Sequence, residues 1–293
     1  MIGHATHTHT MKPTHRDRFI FEKRCRYSLT AAMVADVSRV YRNARGERQP
    51  YTTLRAAQMR LKTLTDHGYL KYQPLRYFKN TRCYRLARKA AKLILSPDEY
   101  QREKRSKILF ADFRPSNEEH NMAISHFMVK LEIDADRAGI ELPVFARDGD
   151  FDATVEIDGR KRKLIPDATI VLVSRGDPQL FFLEVDMSTE TLKWFALKIR
   201  KYTLFRRDYP TITLGRHACR GFRVLTVCKS RKRLENLVAL AGRMKKTGMF
   251  QFLTMDQFLN QDAGGSERFQ DASLLHEIGF ATPAGPATLY RQI

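Results

Sequence analysis

Apolar positions along the chain recur with two periods, one helical and one alternating, and the switches between them mark out its elements. Over residues 16–27, Phe19, Ile20 and Phe21 sit amid charge. Over 28–42, Leu29, Met33, Val37 and Val40 follow helical spacing, with Ser28 or Thr30 placed to cap the first turn. A polar loop containing Gly46 and Pro50 leads to a third helical stretch, 52–67, closed by Gly68, where a left-handed C-cap is expected. At about 100° per residue, Leu54, Ala57, Leu61 and Leu64 fall on one side of it. Thr52, Arg55, Met59, Lys62 and Thr63 fall on the other. Residues 69–72 and 81–86 then read as two short strands around a basic turn, with Arg76 and Lys79 near its tip. A linker helix, RKAAKLIL, and the charged run QREKRSK follow, punctuated by Pro97 and Pro115.

From residue 117 the pattern changes to helices alternating with strand-like runs. A helix over 117–139 carries His120, Ile124, Phe127 and Leu131 on one face. Strands are expected at 144–147, 167–173 and 181–186, then a long helix over 189–207, a strand at 222–228, a helix over 232–246 and a strand at 250–254. The order α-β-β-β-α-β-α-β predicts a mixed sheet with helices on both sides, and the whole chain an α+β protein. After residue 258 the segments AGGSE and ATPAGPAT predict a mostly flexible tail. Its one amphipathic stretch, 272–278, offers Leu274, Leu275 and Ile278 for packing or for a partner.

A length of 293 residues suggests two domains, and 43% hydrophobic with 29% charged residues suffices for a packed core, which excludes a wholly disordered chain. The expected division is a disordered His/Thr-rich tail over 1–15, a basic domain over 16–88, a linker helix over 89–116, a second domain over 117–258 and a tail over 259–293. The net charge of +20 is unevenly placed: residues 1–110 hold 25 basic and 8 acidic side chains, the remainder 27 and 24. A segment at +17 calls for a polyanion, because each cation set against a phosphate releases condensed counterions. No run approaches the ~18 apolar residues of a spanning helix, and the N-terminus lacks the apolar core of a signal peptide, so a cytoplasmic protein without a membrane partner is expected. Cys25, Cys83, Cys219 and Cys228 form no CxxC pair and are expected to be buried small hydrophobes.

Three helices followed by a basic hairpin is the plan of a winged helix-turn-helix. There the third helix enters the major groove and the wing follows the backbone. Double-stranded DNA is the expected partner, since an A-form major groove does not admit a helix. The candidate contacts are Thr52, Arg55, Met59, Lys62 and Thr63 on the helix and Arg76 and Lys79 on the wing.

In the second domain, acids stand where burial makes them costly. Asp167 opens one strand of IPDATIVLV, and Glu184 and Asp186 end the next, in FFLEVDMSTE. Alternation puts Glu184 and Asp186 on one face, and hairpin pairing at about 4.8 Å would bring Asp167 to join them. Three converging carboxylates would suit a hard divalent ion, Mg²⁺ or Mn²⁺, that holds phosphate oxygens and an attacking water.

Pro166-Asp167 followed by Glu184-Val185-Asp186 resembles the signature of the PD-(D/E)XK nuclease-like superfamily, with metal ligands at Asp167 and Glu184. The position that usually holds lysine is Asp186 here. On the next helix Glu190, Trp194, Lys198 and Tyr202 are spaced i, i+4, i+8, i+12, so Lys198 is either a migrated lysine or a charge partner of Asp186 or Glu190. His120 is a further candidate site member. The basic winged helix, the helix at His120, IPDATIVLV, FFLEVDMSTE, LKIRKY and GFRVLTVCKSRKRLENL together resemble the replication-relaxation family of plasmids and other mobile elements, over roughly residues 16–255. That resemblance implies an N-terminal winged helix and a three-layer nuclease-like domain. It implies DNA binding in replication, mobilisation or transfer, beside a relaxase, replication or transposition protein. The alternatives it leaves are an active Mg²⁺-dependent endonuclease and a winged-helix transcriptional regulator.

Overall fold

The computed structural model describes residues 11–26, 28–75, 81–106, 117–147, 151–245, 248–261, 267–277 and 279–289. The chain divides into two units, Met1–Phe113 and Arg114–Ile293.

The first unit runs α1 (His15–Arg26), β1 (Leu29–Thr30), α2 (Ala31–Val37), α3 (Leu54–Asp66), β2 (Leu70–Pro74), β3 (Arg82–Leu86), α4 (Arg88–Ile94) and α5 (Pro97–Ser106). The helix expected over 28–42 is shorter, for a local reason. Thr30 stays extended so that its hydroxyl can accept the Met33 N–H at 3.2 Å, which leaves Leu29 and Thr30 free to pair with Tyr84 and Cys83 of β3. At the other end the Ser38 hydroxyl donates to the Ala35 carbonyl at 2.6 Å and accepts the Tyr51 N–H at 2.9 Å, and the chain tightens into a 3₁₀ turn, Ser38–Val40.

Thr53 caps α3, accepting the Ala56 N–H at 3.1 Å, and Ala57, Leu61 and Leu64 are buried. Leu54, expected on the packed side, is exposed because it is the first helical residue, before the packed stripe begins. The helix ends as its sequence predicts. Gly68 adopts φ +74°, its N–H reaches the Thr65 carbonyl, and the Tyr69 N–H reaches that of Leu64, both at 2.9 Å, a Schellman motif. The antiparallel sheet has the order β1-β3-β2.

Two expectations for this unit are corrected. The tail over 1–15 is not loose throughout its described part: the Tyr69 hydroxyl donates to the Met11 carbonyl at 2.9 Å, and Thr14 and Asp17 form reciprocal hydrogen bonds that start α1. The described part of the linker expected over 89–116 holds two helices rather than one, and α4, with Ala90 and Ala91 buried, packs on α1.

The second unit runs α6 (Glu118–Ala138), β4 (Glu141–Arg147), β5 (Ala153–Ile157), β6 (Arg160–Leu164), β7 (Ala168–Ser174), β8 (Asp177–Asp186), α7 (Leu192–Asp208), β9 (Thr211–Leu214), β10 (His217–Arg220), β11 (Arg223–Cys228), α8 (Arg231–Arg243), β12 (Phe250–Thr254), β13 (Leu259–Gln261), β14 (Glu267–Phe269), β15 (Phe280–Thr282) and β16 (Gly285–Ala287). Its central sheet has seven strands in the order β16-β15-β12-β11-β8-β7-β4. The β12-β11-β8 part is parallel and β8-β7-β4 antiparallel, so the sheet is mixed as expected.

On one face Val171, Leu180, Phe182, Val224, Phe250 and Phe252 pack against Phe195, Ile199 and Tyr202 of α7 and Leu234 and Leu237 of α8. The alternate residues Ile170, Leu172, Phe181, Leu183 and Leu253 are also buried, on the side where α6 runs against β4 and β8. Helices on both faces make the three layers. Among the described residues no helix is long and apolar enough to cross a membrane.

In place of the flexible tail expected over 259–293, the described residues of that range form ordered strands. β15 pairs with β12 and β16 with β15. Leu274 and Leu275 are fully buried, and the Leu274 N–H donates to Asp134 of α6 at 2.7 Å. These strands read as loop because Ala, Thr, Gly and Pro carry no apolar alternation, and it is the edge of β12 that fixes β15 as a strand.

Candidate functional site

β8 lies between antiparallel β7 and parallel β11, and its last residues place Glu184 and Asp186 on one face at the carboxyl end of the strand. The two acids have different partners. Glu184 accepts the Tyr202 hydroxyl on Oε1 at 2.6 Å and Lys198 Nζ on Oε2 at 2.8 Å. Lys198 also reaches Glu190 at 3.1 Å. Asp186 is gripped by a fork: Arg233 donates from Nε to Oδ1 at 3.0 Å and from Nη2 to Oδ2 at 2.7 Å, and the Ser188 N–H adds a bond to Oδ1 at 2.8 Å.

Asp167 sits just before β7, where its N–H donates to the Leu183 carbonyl at 3.0 Å. Its Oδ2 accepts the Val185 N–H at 2.7 Å and stands 3.1 Å from Nε2 of His120 on α6.

The electrostatics follow from these contacts. Burial acts to raise Asp167, but His120, Lys198 and the Val185 N–H outweigh it and hold the carboxyl below its ordinary range. Glu184 is pushed up to about 7, first by burial and then by the Asp167 carboxylate, with Lys198 and Tyr202 opposing only in part. Burial acts to lower Lys198, yet Glu184, Asp167 and Glu190 together hold it above its ordinary value. Lys198 is therefore a fixed ammonium, suited to stabilising negative charge rather than to taking a proton. Glu184 is the member that changes charge near neutrality. On β11, Cys228 is pushed up to about 12 by burial, with Asp186 adding to it.

The group of three carboxylates expected from the sequence does not assemble. Both oxygens of Asp186 face Arg233, and among the described residues no group of three or more His, Cys, Asp or Glu side chains is placed to hold a metal ion. A divalent ion thus does not fit Asp167, Glu184 and Asp186 as a set. What the fold does bring together is His120, Asp167, Glu184, Lys198 and Tyr202. Arg233, absent from the sequence-based site, is one of several basic residues in KSRKRLENL, and nothing in the local pattern sets it apart from Arg231.

In the first unit, Thr52, Arg55, Met59 and Lys62 are exposed, Met59 at 57%, while Thr63 is half-buried and its hydroxyl donates to the Met59 carbonyl at 3.0 Å. Lys62 pairs with Asp66 one turn on, at 2.6 Å. Arg60 points the other way and joins α3 to α1 by donating from Nε to the buried Asp17 at 2.8 Å. On the hairpin, Arg82 stacks 4.7 Å over the ring of the exposed Tyr72. Arg76 and Lys79 lie outside the described residues.

No curated protein and no solved structure matches the chain. A family model described as replication-relaxation matches residues 28–213, more than half of its length.

Proposed function

The chain belongs to the replication-relaxation family, and from that premise we propose that it binds double-stranded DNA in the replication, mobilisation or transfer of a plasmid or other mobile element. The observation that carries this reading is the outer side of α3: Arg55, Met59 and Lys62 face solvent on a helix whose inner side is fixed by Ala57, Leu61 and Leu64. In this reading the first unit is a winged helix, α3 lies in the major groove, and the β2–β3 hairpin follows the phosphates. The second unit is a nuclease-like platform that presents the DNA to a relaxase or another replication or transposition protein. Arg55→Ala with Lys62→Ala is expected to weaken duplex binding about tenfold or more at physiological salt. Unchanged affinity would remove α3 from the interface.

One observation favours a second reading, cleavage that depends on Mg²⁺ or Mn²⁺. Asp167, Glu184 and Lys198 lie together, with the acids where the PD-(D/E)XK pattern has them and the lysine supplied by α7. Supercoiled, linear and branched DNA incubated with either ion separates the two. Cutting that Asp167→Ala and Glu184→Ala both abolish establishes the enzyme, whereas intact DNA at concentrations that saturate binding leaves the binding protein.

A further inference from the structure

One surface of the second unit plays no part in that reading. Strand β6 opens with four exposed cations, Arg160-Lys161-Arg162-Lys163, before the buried Leu164, and with β5 it packs along α7. Lys201 of α7 donates to the Lys163 carbonyl at 2.7 Å, and Arg200 forks onto Asp158 in the β5–β6 turn at 2.9 and 2.6 Å, so hairpin and helix form one ridge. The cations crowd there. Lys201 is held below its ordinary value by burial first, then by Lys198 and Arg162.

The ridge ends in exposed apolar groups. Trp194, one helical turn before Lys198, is 61% exposed with Lys193 beside it, and Ile165, two residues before Asp167, is 46% exposed. A large indole left in water forgoes burial worth more than that of most side chains. With Lys193 next to it and Lys201 two turns further along the same side of α7, it suits a ligand that is anionic and offers flat apolar faces. A duplex presents its phosphates but hides its base faces in the stack, whereas a single strand presents both.

We propose that Trp194 and the β5–β6 ridge form a binding site for single-stranded nucleic acid, in which a base stacks on the indole and Arg162, Lys193 and Lys201 take the flanking phosphates. The site shares no residue with the duplex interface proposed for α3, and either can fail without the other.

Trp194 is the only tryptophan in the chain, so its emission reports on this site alone. The full chain, with the α3 surface first saturated by a duplex, is titrated with oligothymidylate and with oligouridylate. Saturable quenching that weakens with salt is expected from at least one of them, the more responsive strand telling whether DNA or RNA is preferred. Arg162→Glu with Lys193→Glu should raise the half-saturation concentration about tenfold. Trp194→Ala should weaken strand binding followed by anisotropy by a similar factor while leaving duplex affinity unchanged, and Trp194→Phe should recover part of the loss. All three residues are exposed, so the variants retain the fold, which circular dichroism checks. Absence of strand binding, binding without quenching, quenching unaffected by the charge reversals, equal quenching by duplex, or a response only to anionic vesicles would each overturn the proposal.

Discussion

The outer side of α3 and the cluster around Glu184 are both built with cations, and they use them in opposite ways. On α3, Arg55 and Lys62 face water, and the exposed ion pair of Lys62 with Asp66 is of the kind worth little in solution. In the cluster, Lys198 is engaged by two carboxylates and Arg233 is locked onto a third. Exposed cations remain able to exchange counterions for phosphates. Cations already paired with buried carboxylates are committed to holding the fold. Net charge therefore points to a polyanion surface only as an excess of cations over acids, which is why the +17 of residues 1–110 is informative and the near-neutrality of the rest conceals local patches such as β6.

The contrast is most sharply tested by removing one arginine from each region. Arg233→Met leaves the Asp186 side chain, 2% exposed, buried without its partner, and should cost about 3–5 kcal/mol in urea denaturation. Arg55→Met, on the open side of α3, should stay within about 0.5 kcal/mol. Equal losses would show that the two regions do not differ as described.

A somewhat smaller effect is expected from pH. Glu184 titrates at about 7 in the folded protein against an ordinary value of 4.5, so the fold favours its protonated form. That contribution is fully present below about pH 4.5 and is lost as pH rises through 7. Asp167 acts in the opposite sense at lower pH: its stabilisation is present above its ordinary value of 3.8 and is lost as pH falls. In Glu184→Gln the decline in stability between pH 4.5 and 7 should flatten by roughly 2–3 kcal/mol, followed by urea denaturation across that range. An unchanged slope would mean that Glu184 does not titrate there. A loss smaller than that of Arg233→Met or of the Glu184 titration is expected for Thr53→Ala, which removes the cap of α3 and should cost about 1 kcal/mol, with a modest loss of duplex affinity as the first turn frays.

Much of this was legible in the sequence wherever one side chain pattern decides the outcome. The buried stripe Ala57, Leu61, Leu64, the Gly68 cap and strand β12, with Phe250, Phe252 and Leu253, follow from local periodicity and backbone preference. The neighbouring placement of Asp167 and Glu184 follows from strand alternation and the β7–β8 hairpin. What the sequence hid depends on partners distant along the chain. The β5–β6 hairpin carries a readable alternation of Val155, Ile157 and Leu164, but the run of four cations masks it. The fate of Asp186 was hidden for the same reason, because Arg233 meets it only once α8 has folded over the end of β8. Alternation places two acids on one face, but it says nothing about which cation reaches each.

The most direct test of the division between grip and cluster is the salt dependence of duplex binding in three proteins: the native chain, Arg55→Ala with Lys62→Ala, and Asp167→Asn with Glu184→Gln. The native and carboxylate variants should share one slope of log affinity against log salt, while the α3 variant becomes shallower by about 2, roughly 0.9 for each phosphate left without its cation. A flattened slope in the carboxylate variant, with the α3 variant binding as the native chain does, would contradict it and move the duplex interface to the second unit.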